Sequence, residues 1–327
     1  MVILDLIEAV SAVGEGSTVR VRLTDPGDAD LARKWCHHSG NTLLELTDQH
    51  VVVRRGRVPD ALDELPADRR PGARLWLYTN FDCNLACDYC CVRSSPRAPR
   101  RELGLDRIRQ LCREAPAAGV GEILITGGEP FLLPDIAEIV DACAAAAPTT
   151  VLTNGMLLRG RRLELLHRMP RDRVRLQISL DSADPVAHDA HRGAGSWQRA
   201  VDGITAARAA GFVVRVAATV GAAETGQAAA LAAYLDGIGV ARDDQLIRPL
   251  ARRGLSGDGV TVTVETLVPE LTVTADGIYW HPVGADDDDQ LVSREQLPLT
   301  EAVALVNERF RRHRLAEHGA AERFPCA

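Results

Sequence analysis

Cys83, Cys87 and Cys90 stand at C-x3-C-x2-C within the stretch from Asn80 to Val92. Three thiolates that close in sequence can wrap one iron–sulfur cube from a single loop. A [4Fe–4S] cube normally takes four cysteine ligands, so three leave one iron open, and an open iron can bind a substrate. A zinc site wants four ligands, as two cysteine pairs or a pair with histidines, and no second pair is present. Disulfides among cysteines this close would be strained or mispaired. Cys91 extends the run; its side chain is expected to point away from that of Cys90, as a packing thiol or one that supports the ligands from behind.

A second motif follows about forty residues later. Gly127-Gly128-Glu129-Pro130 ends the apolar run Ile123-Leu124-Ile125-Thr126. Two glycines let a backbone approach a ligand closely, and the next carboxylate can accept from an ammonium group. Alone, this sequence is only a turn. Thr153-Asn154-Gly155 and Ser179-Leu180-Asp181 end two further apolar runs. Such residues also cap helices after strands, which is their plainer reading.

Together these motifs resemble the radical S-adenosylmethionine (radical SAM) superfamily, and the resemblance runs from residue 74 to about 254. It implies a [4Fe–4S] cluster held by Cys83, Cys87 and Cys90, with SAM chelating the open iron through its amino and carboxylate groups. Thr126, Gly127, Gly128, Glu129 and Pro130 would hold the methionyl amino group. Tyr89 would lie near the adenine. Asn154 would border the site, Ser179 and Asp181 would meet the ribose or carboxylate, and Arg192 would be a charge partner. Val216 and Arg248-Pro249-Leu250 would flank the adenine. The stretch from Asp184-Pro185 to Ser196-Trp197 is similar to that of peptide-modifying and cofactor-building members. The implied activity is reductive cleavage of SAM to a 5′-deoxyadenosyl radical that takes hydrogen from a peptide, a protein or a biosynthetic intermediate. A flavodoxin- or ferredoxin-type reductant is the implied partner. No catalytic residue is assigned.

The elements that must position these residues alternate from residue 74 onward. Strands are expected at 74–79, 121–126, 149–153, 173–180, 213–220 and 244–250. Helices are expected near 104–118, 134–147, 160–169, 196–210 and 225–238. Short apolar strands between amphipathic helices mean a parallel sheet with helical crossovers. Six such units suit an α/β fold built as a partial (β/α)6 TIM-type barrel over 73–254, where chemistry gathers at the strands' C-terminal ends.

Residues 1–58 read as a small α/β domain that resembles TusA-like carriers but lacks their Cys-Pro-x-Pro motif. There Leu4, Ile7 and Val10 fall at helical spacing, Gly40 ends a second helix, and a hairpin turns at Asp48-Gln49. Residues 59–72 read as a linker. Residues 255–327 read as an extension similar to SPASM or twitch domains, opening with a hairpin over Leu271–Pro282. His281-Pro282 stands where such extensions carry a cysteine, and only Cys326 remains beyond, so no auxiliary cluster is expected. The hairpin and a helix over 298–315 are expected to cap the barrel mouth. Asp286 to Asp289 read as a solvated loop.

Composition narrows the function classes. A net charge of −7 over 327 residues argues against general nucleic-acid binding, which needs a basic footprint. Eight cysteines with a cluster pattern suit a reducing cytosol, so a cytoplasmic protein is expected. The N-terminus has acids inside its apolar run and no basic start, unlike a signal peptide, and no membrane span is expected. The rival reading is a non-catalytic iron–sulfur or zinc protein in sulfur trafficking. A metal site that ignores SAM would favour it.

Overall fold

The computed structural model describes residues 2–56, 60–221 and 225–323, without the side chains of Thr225 and 315–323. The chain divides into two compact units, Met1–Glu64 and Leu65–Ala327.

In the first unit, helices α1 (Val2–Ser11) and α2 (Asp28–Ser39) accompany strands β1 (Thr18–Arg22), β2 (Thr42–Leu46) and β3 (His50–Arg54). The strands form an antiparallel sheet in the order β1-β3-β2. Gly40 ends α2 at φ 72°, a left-handed position that glycine takes without steric cost. The buried face of α1 is Val2, Leu6 and Val10, while Leu4 and Ile7 are exposed. Both sets fit a 3.6-residue period, and packing against Val51 and Val53 of the central strand selects one.

The second unit is one nine-stranded sheet in the order β12-β11-β10-β4-β5-β6-β7-β8-β9. Its middle is β4 (Arg74–Tyr78), β5 (Glu122–Thr126), β6 (Thr149–Thr153), β7 (Val174–Ser179), β8 (Val213–Val220) and β9 (Gln245–Pro249), all parallel. Helices α3 (Leu105–Glu114), α4 (Ile136–Ala146), α5 (Arg161–Arg168), α6 (Pro185–Arg192), α7 (Ser196–Ala209) and α8 (Thr225–Gly237) make the crossovers. Ile123, Leu124 and Ile125 are all buried, as expected of a parallel strand covered on both faces. Ile136, Ile139, Val140 and Cys143 bury one stripe of α4. Cys143 Sγ lies 3.7 Å from Cys112 Sγ of α3, which places both cysteines in the core.

The C-terminal elements β10 (Thr272–Thr274), β11 (Gly277–Tyr279), β12 (Leu291–Ser293) and α9 (Leu299–Arg323) depart from expectation. The hairpin β10–β11 extends the sheet: β10 pairs with β4 in parallel, Thr272 opposite Trp76. Helix α9 starts at the opposite end from the cysteine loop, where Leu299 N donates to Glu114 at the end of α3. Trp280 packs against Phe310 and His313 of α9. No described residue of α9 borders the cavity at the barrel mouth, so this helix is a flanking support and not the expected cap. The sheet ends at β12 and β9, and the barrel is open. No helix among the described residues is long and apolar enough to cross a membrane.

Candidate active site

The residues singled out by motif gather at the C-terminal ends of the parallel strands. The loop after β4 carries Cys83, Cys87 and Cys90, and all three border one cavity of about 210 Å³. Tyr89, Thr126, Gly127, Gly128, Asn154, Ser179 and Arg192 border the same cavity. Glu129, Pro130 and Asp181 do not. Arg248, Pro249 and Leu250 border it as well, whereas Val216 is buried inside β8 and does not reach it.

The glycine pair has a structural reason. A Cβ on Gly127 would sit 2.4 Å from Asn80 Oδ1, and one on Gly128 would sit 2.1 Å from the Asp82 carbonyl oxygen. Gly128 N donates to Asn80 O and Glu129 N to Asp82 O, both at 3.0 Å. Asn80 Nδ2 returns a bond to Glu129 O at 3.1 Å. The turn after β5 is therefore stitched to the start of the cysteine loop, and only glycine permits so close an approach.

Glu129 is fully buried and does not border the cavity. Its carboxylate accepts from Phe131 N (3.0 Å), Thr153 Oγ1 (2.7 Å) and Asn154 N (2.8 Å). Burial raises its pKa, partly offset by these three donors. Here the side chain joins the turns after β5 and β6. The backbone of Gly127 and Gly128, not this carboxylate, meets the cavity.

Asp181 is the hub of a second network. It accepts from Tyr89 Oη and from Arg192, and its Oδ1 accepts from Thr219 N at 2.9 Å. Asp181 N donates to His188 Nδ1 at 3.2 Å. Burial opposes ionisation of Asp181, but Arg192 and the hydrogen bonds win and hold its pKa below the usual carboxylate value. Burial, reinforced by Arg192, pushes His188 down to about 4. This arrangement fixes the Tyr89 ring, so Asp181 orients the cysteine loop from inside the wall.

The thiols fit a metal cluster by their chemistry. Burial, with the negative charge of Glu129 behind it, pushes Cys83 up to about 12, and burial raises Cys87. Thiols so enclosed stay protonated until a metal supplies positive charge. Leu85 N donates to Cys83 Sγ at 3.4 Å, a bond that favours the thiolate. Among the described residues no three His, Cys, Asp or Glu side chains converge as ligands of one ion. A cube differs from such a site, because each of its cysteines binds a separate iron.

Sequence reasoning missed the support behind the loop. Cys91 borders the cavity as well, and burial pushes it up to about 12. Gly284 N donates to Cys91 O and Leu255 N to Cys90 O. The acidic run is solvated only in its second half, at Asp288 and Asp289. The Asp286 side chain is 4% exposed and pairs with Arg93 at 3.3 Å, while Asp287 pairs with Arg93 at 2.8 Å and Arg253 at 3.2 Å. These partners lie too far apart in sequence for any local signal. Cys326 lies outside the described residues.

Comparison with known proteins finds similarity in this region. Residues 77–230 match the model of the Radical SAM superfamily. This stretch, just under half of the chain, is similar to Radical SAM domains. That superfamily uses a [4Fe–4S] cluster and SAM, a pair that the residues around the cavity fit. The chain is 39% identical over 143 residues to the antilisterial bacteriocin subtilosin biosynthesis protein AlbA of Bacillus subtilis (strain 168), covering 42% of this chain and 31% of AlbA. It is 37% identical over 166 residues to a GTP 3′,8-cyclase of Synechococcus sp. (strain CC9902), covering 47% of each. The chain thus spans less than half the length of these relatives. The crystal structure of Streptococcus suis SuiB bound to S-adenosylmethionine superposes with TM-score 0.51 at 21% identity, over 60% of this chain and 45% of SuiB. That likeness concerns the fold of the radical SAM domain.

Proposed function

We propose that this chain is a radical SAM enzyme acting on a peptide or protein. Reductive cleavage of SAM at the cluster would supply the 5′-deoxyadenosyl radical that takes hydrogen from the substrate. One observation carries the reading: three cysteine sulfurs and the Gly127-Gly128 turn border one cavity at the strand ends. In this reading Cys83, Cys87 and Cys90 hold the cluster. The Thr126–Gly128 backbone, Asn154 and Ser179 bind SAM, and Arg192 places a positive charge near its carboxylate. Tyr89, anchored by Asp181, lies beside the adenine. A primary radical requires that water be kept from the reacting centre, which in this reading the bound substrate completes. A bacteriocin biosynthesis protein among the relatives supports a peptide substrate, whereas a cyclase among them ties the shared core to no single substrate. The reductant in this reading is of flavodoxin or ferredoxin type. The N-terminal unit is read as TusA-like without sulfur transfer, and the C-terminal elements as a twitch-like extension without a cluster.

The test is anaerobic reconstitution followed by iron and sulfide analysis and by assay of SAM cleavage with dithionite. The wild type is expected to bind a cluster and release 5′-deoxyadenosine, and Cys87→Ala to lose both. A Cys87→Ala protein that retains both, or bound zinc in place of iron, would overturn the reading.

A further inference from the structure

Most charged groups around the cavity are already matched. Arg192 is held by Asp181, Arg93 by Asp286 and Asp287, and Arg253 by Asp287 and Asp289. Tyr78 Oη donates to Pro282 O at 2.6 Å. Arg248 is different. It borders the cavity from the end of β9, and among the described residues it has no carboxylate partner. Its charge also reaches His281, whose proton affinity it lowers after burial.

A second, independent observation lies on the same cavity. Ser94 is 3% exposed, and its Oγ has no hydrogen-bond partner. A buried hydroxyl left unmatched is uncommon and calls for a partner that arrives with a ligand. Among the described residues no aspartate or glutamate borders the cavity. The wall therefore offers one unmatched guanidinium and one unmatched hydroxyl, a donor pair suited to an anion.

We propose that Arg248 and Ser94 form a subsite for a carboxylate of the substrate: an aspartate or glutamate side chain, or a chain terminus. This rests on the radical SAM reading above. In that reading SAM's own carboxylate is committed to the open iron beside Arg192 and the adenine is left to Pro249 and Leu250, so Arg248 serves the substrate in place of the adenine contact that the resemblance implied for it. The guanidinium binds the carboxylate through paired N–H donors, and the Ser94 hydroxyl donates a further bond.

The experiment uses the reconstituted holoprotein with SAM and two probes, N-acetyl-glutamate N′-methylamide and its glutamine isostere. Binding is read by saturation-transfer NMR and equilibrium dialysis. The glutamate probe is expected to bind about tenfold more tightly, as a charge-assisted pair should. Arg248→Gln removes that preference, Arg248→Lys retains part of it, and Ser94→Ala reduces it, with SAM affinity unchanged within about twofold. Equal binding of the two probes to the wild type overturns the proposal, as does a preference that survives Arg248→Gln. A loss of SAM affinity in Arg248→Gln reassigns the guanidinium to SAM and also overturns it. Failure of the underlying reading shows separately, as a wild type that binds no SAM.

Discussion

Gly128 packs against the Asp82 carbonyl with no space for a methyl group. Gly128→Ala must push the cysteine loop away from the turn after β5, and overpacking of this kind costs about 1–3 kcal/mol. Chemical denaturation is expected to show that loss, and reconstituted protein to bind less iron. His188 and His281 make a separate point about single residues. Burial pushes them down to about 4 and about 3, from an ordinary 6.5. The folded state thus binds fewer protons than the unfolded chain as pH falls below the ordinary value. Stability is present above about pH 6.5 and is lost as pH falls toward the folded values, by about 1.4 kcal/mol per pH unit for each histidine at full slope. Urea denaturation at pH 7, 6 and 5 should show this slope, and His188→Asn should reduce it by the share of one proton.

At the scale of elements, Asp181 holds four pieces together: the cysteine loop through Tyr89, α6 through Arg192, the end of β7, and β8 through Thr219. Asp181→Asn leaves Arg192 buried without its counter-charge, a change that costs about 3–5 kcal/mol. Thermal unfolding should show the loss, and SAM binding should weaken as Tyr89 loses its anchor. The parallel strands and their helices were legible because short apolar runs and amphipathic stretches have different periods. Other features were not. Leu4-Ile7-Val10 and Val2-Leu6-Val10 satisfy the same helical period, and only the sheet beneath distinguishes them. The pairing of β10 with β4 carries no local mark, since strand register is set by partners distant in sequence. The motif around Glu129 gives no sign of the Thr153 and Asn154 donors that engage its carboxylate.

At the scale of the molecule, each unit encloses its own core. A unit as small as Met1–Glu64 buries only about 60% of its unfolded surface and is marginally stable. Leu65–Ala327 expressed without it should unfold cooperatively and take up as much iron as the full chain; a fragment that aggregates or stays metal-free would refute this. The last strands do not belong to a detachable appendage. Asp286 and Asp287, reached only after β11, grip Arg93 beside the cysteines.

The hydrogen bonds from Gly128 and Glu129 to Asn80 and Asp82 make the cysteine loop, proposed to hold the cluster, and the glycine turn, proposed to hold SAM, one mechanical piece. Neither can shift without the other, so filling one place changes the free energy of filling the second. Thermodynamic reciprocity then requires the effect to be equal in both directions. Whatever factor iron loading adds to the hold on SAM, SAM must add to the hold on iron.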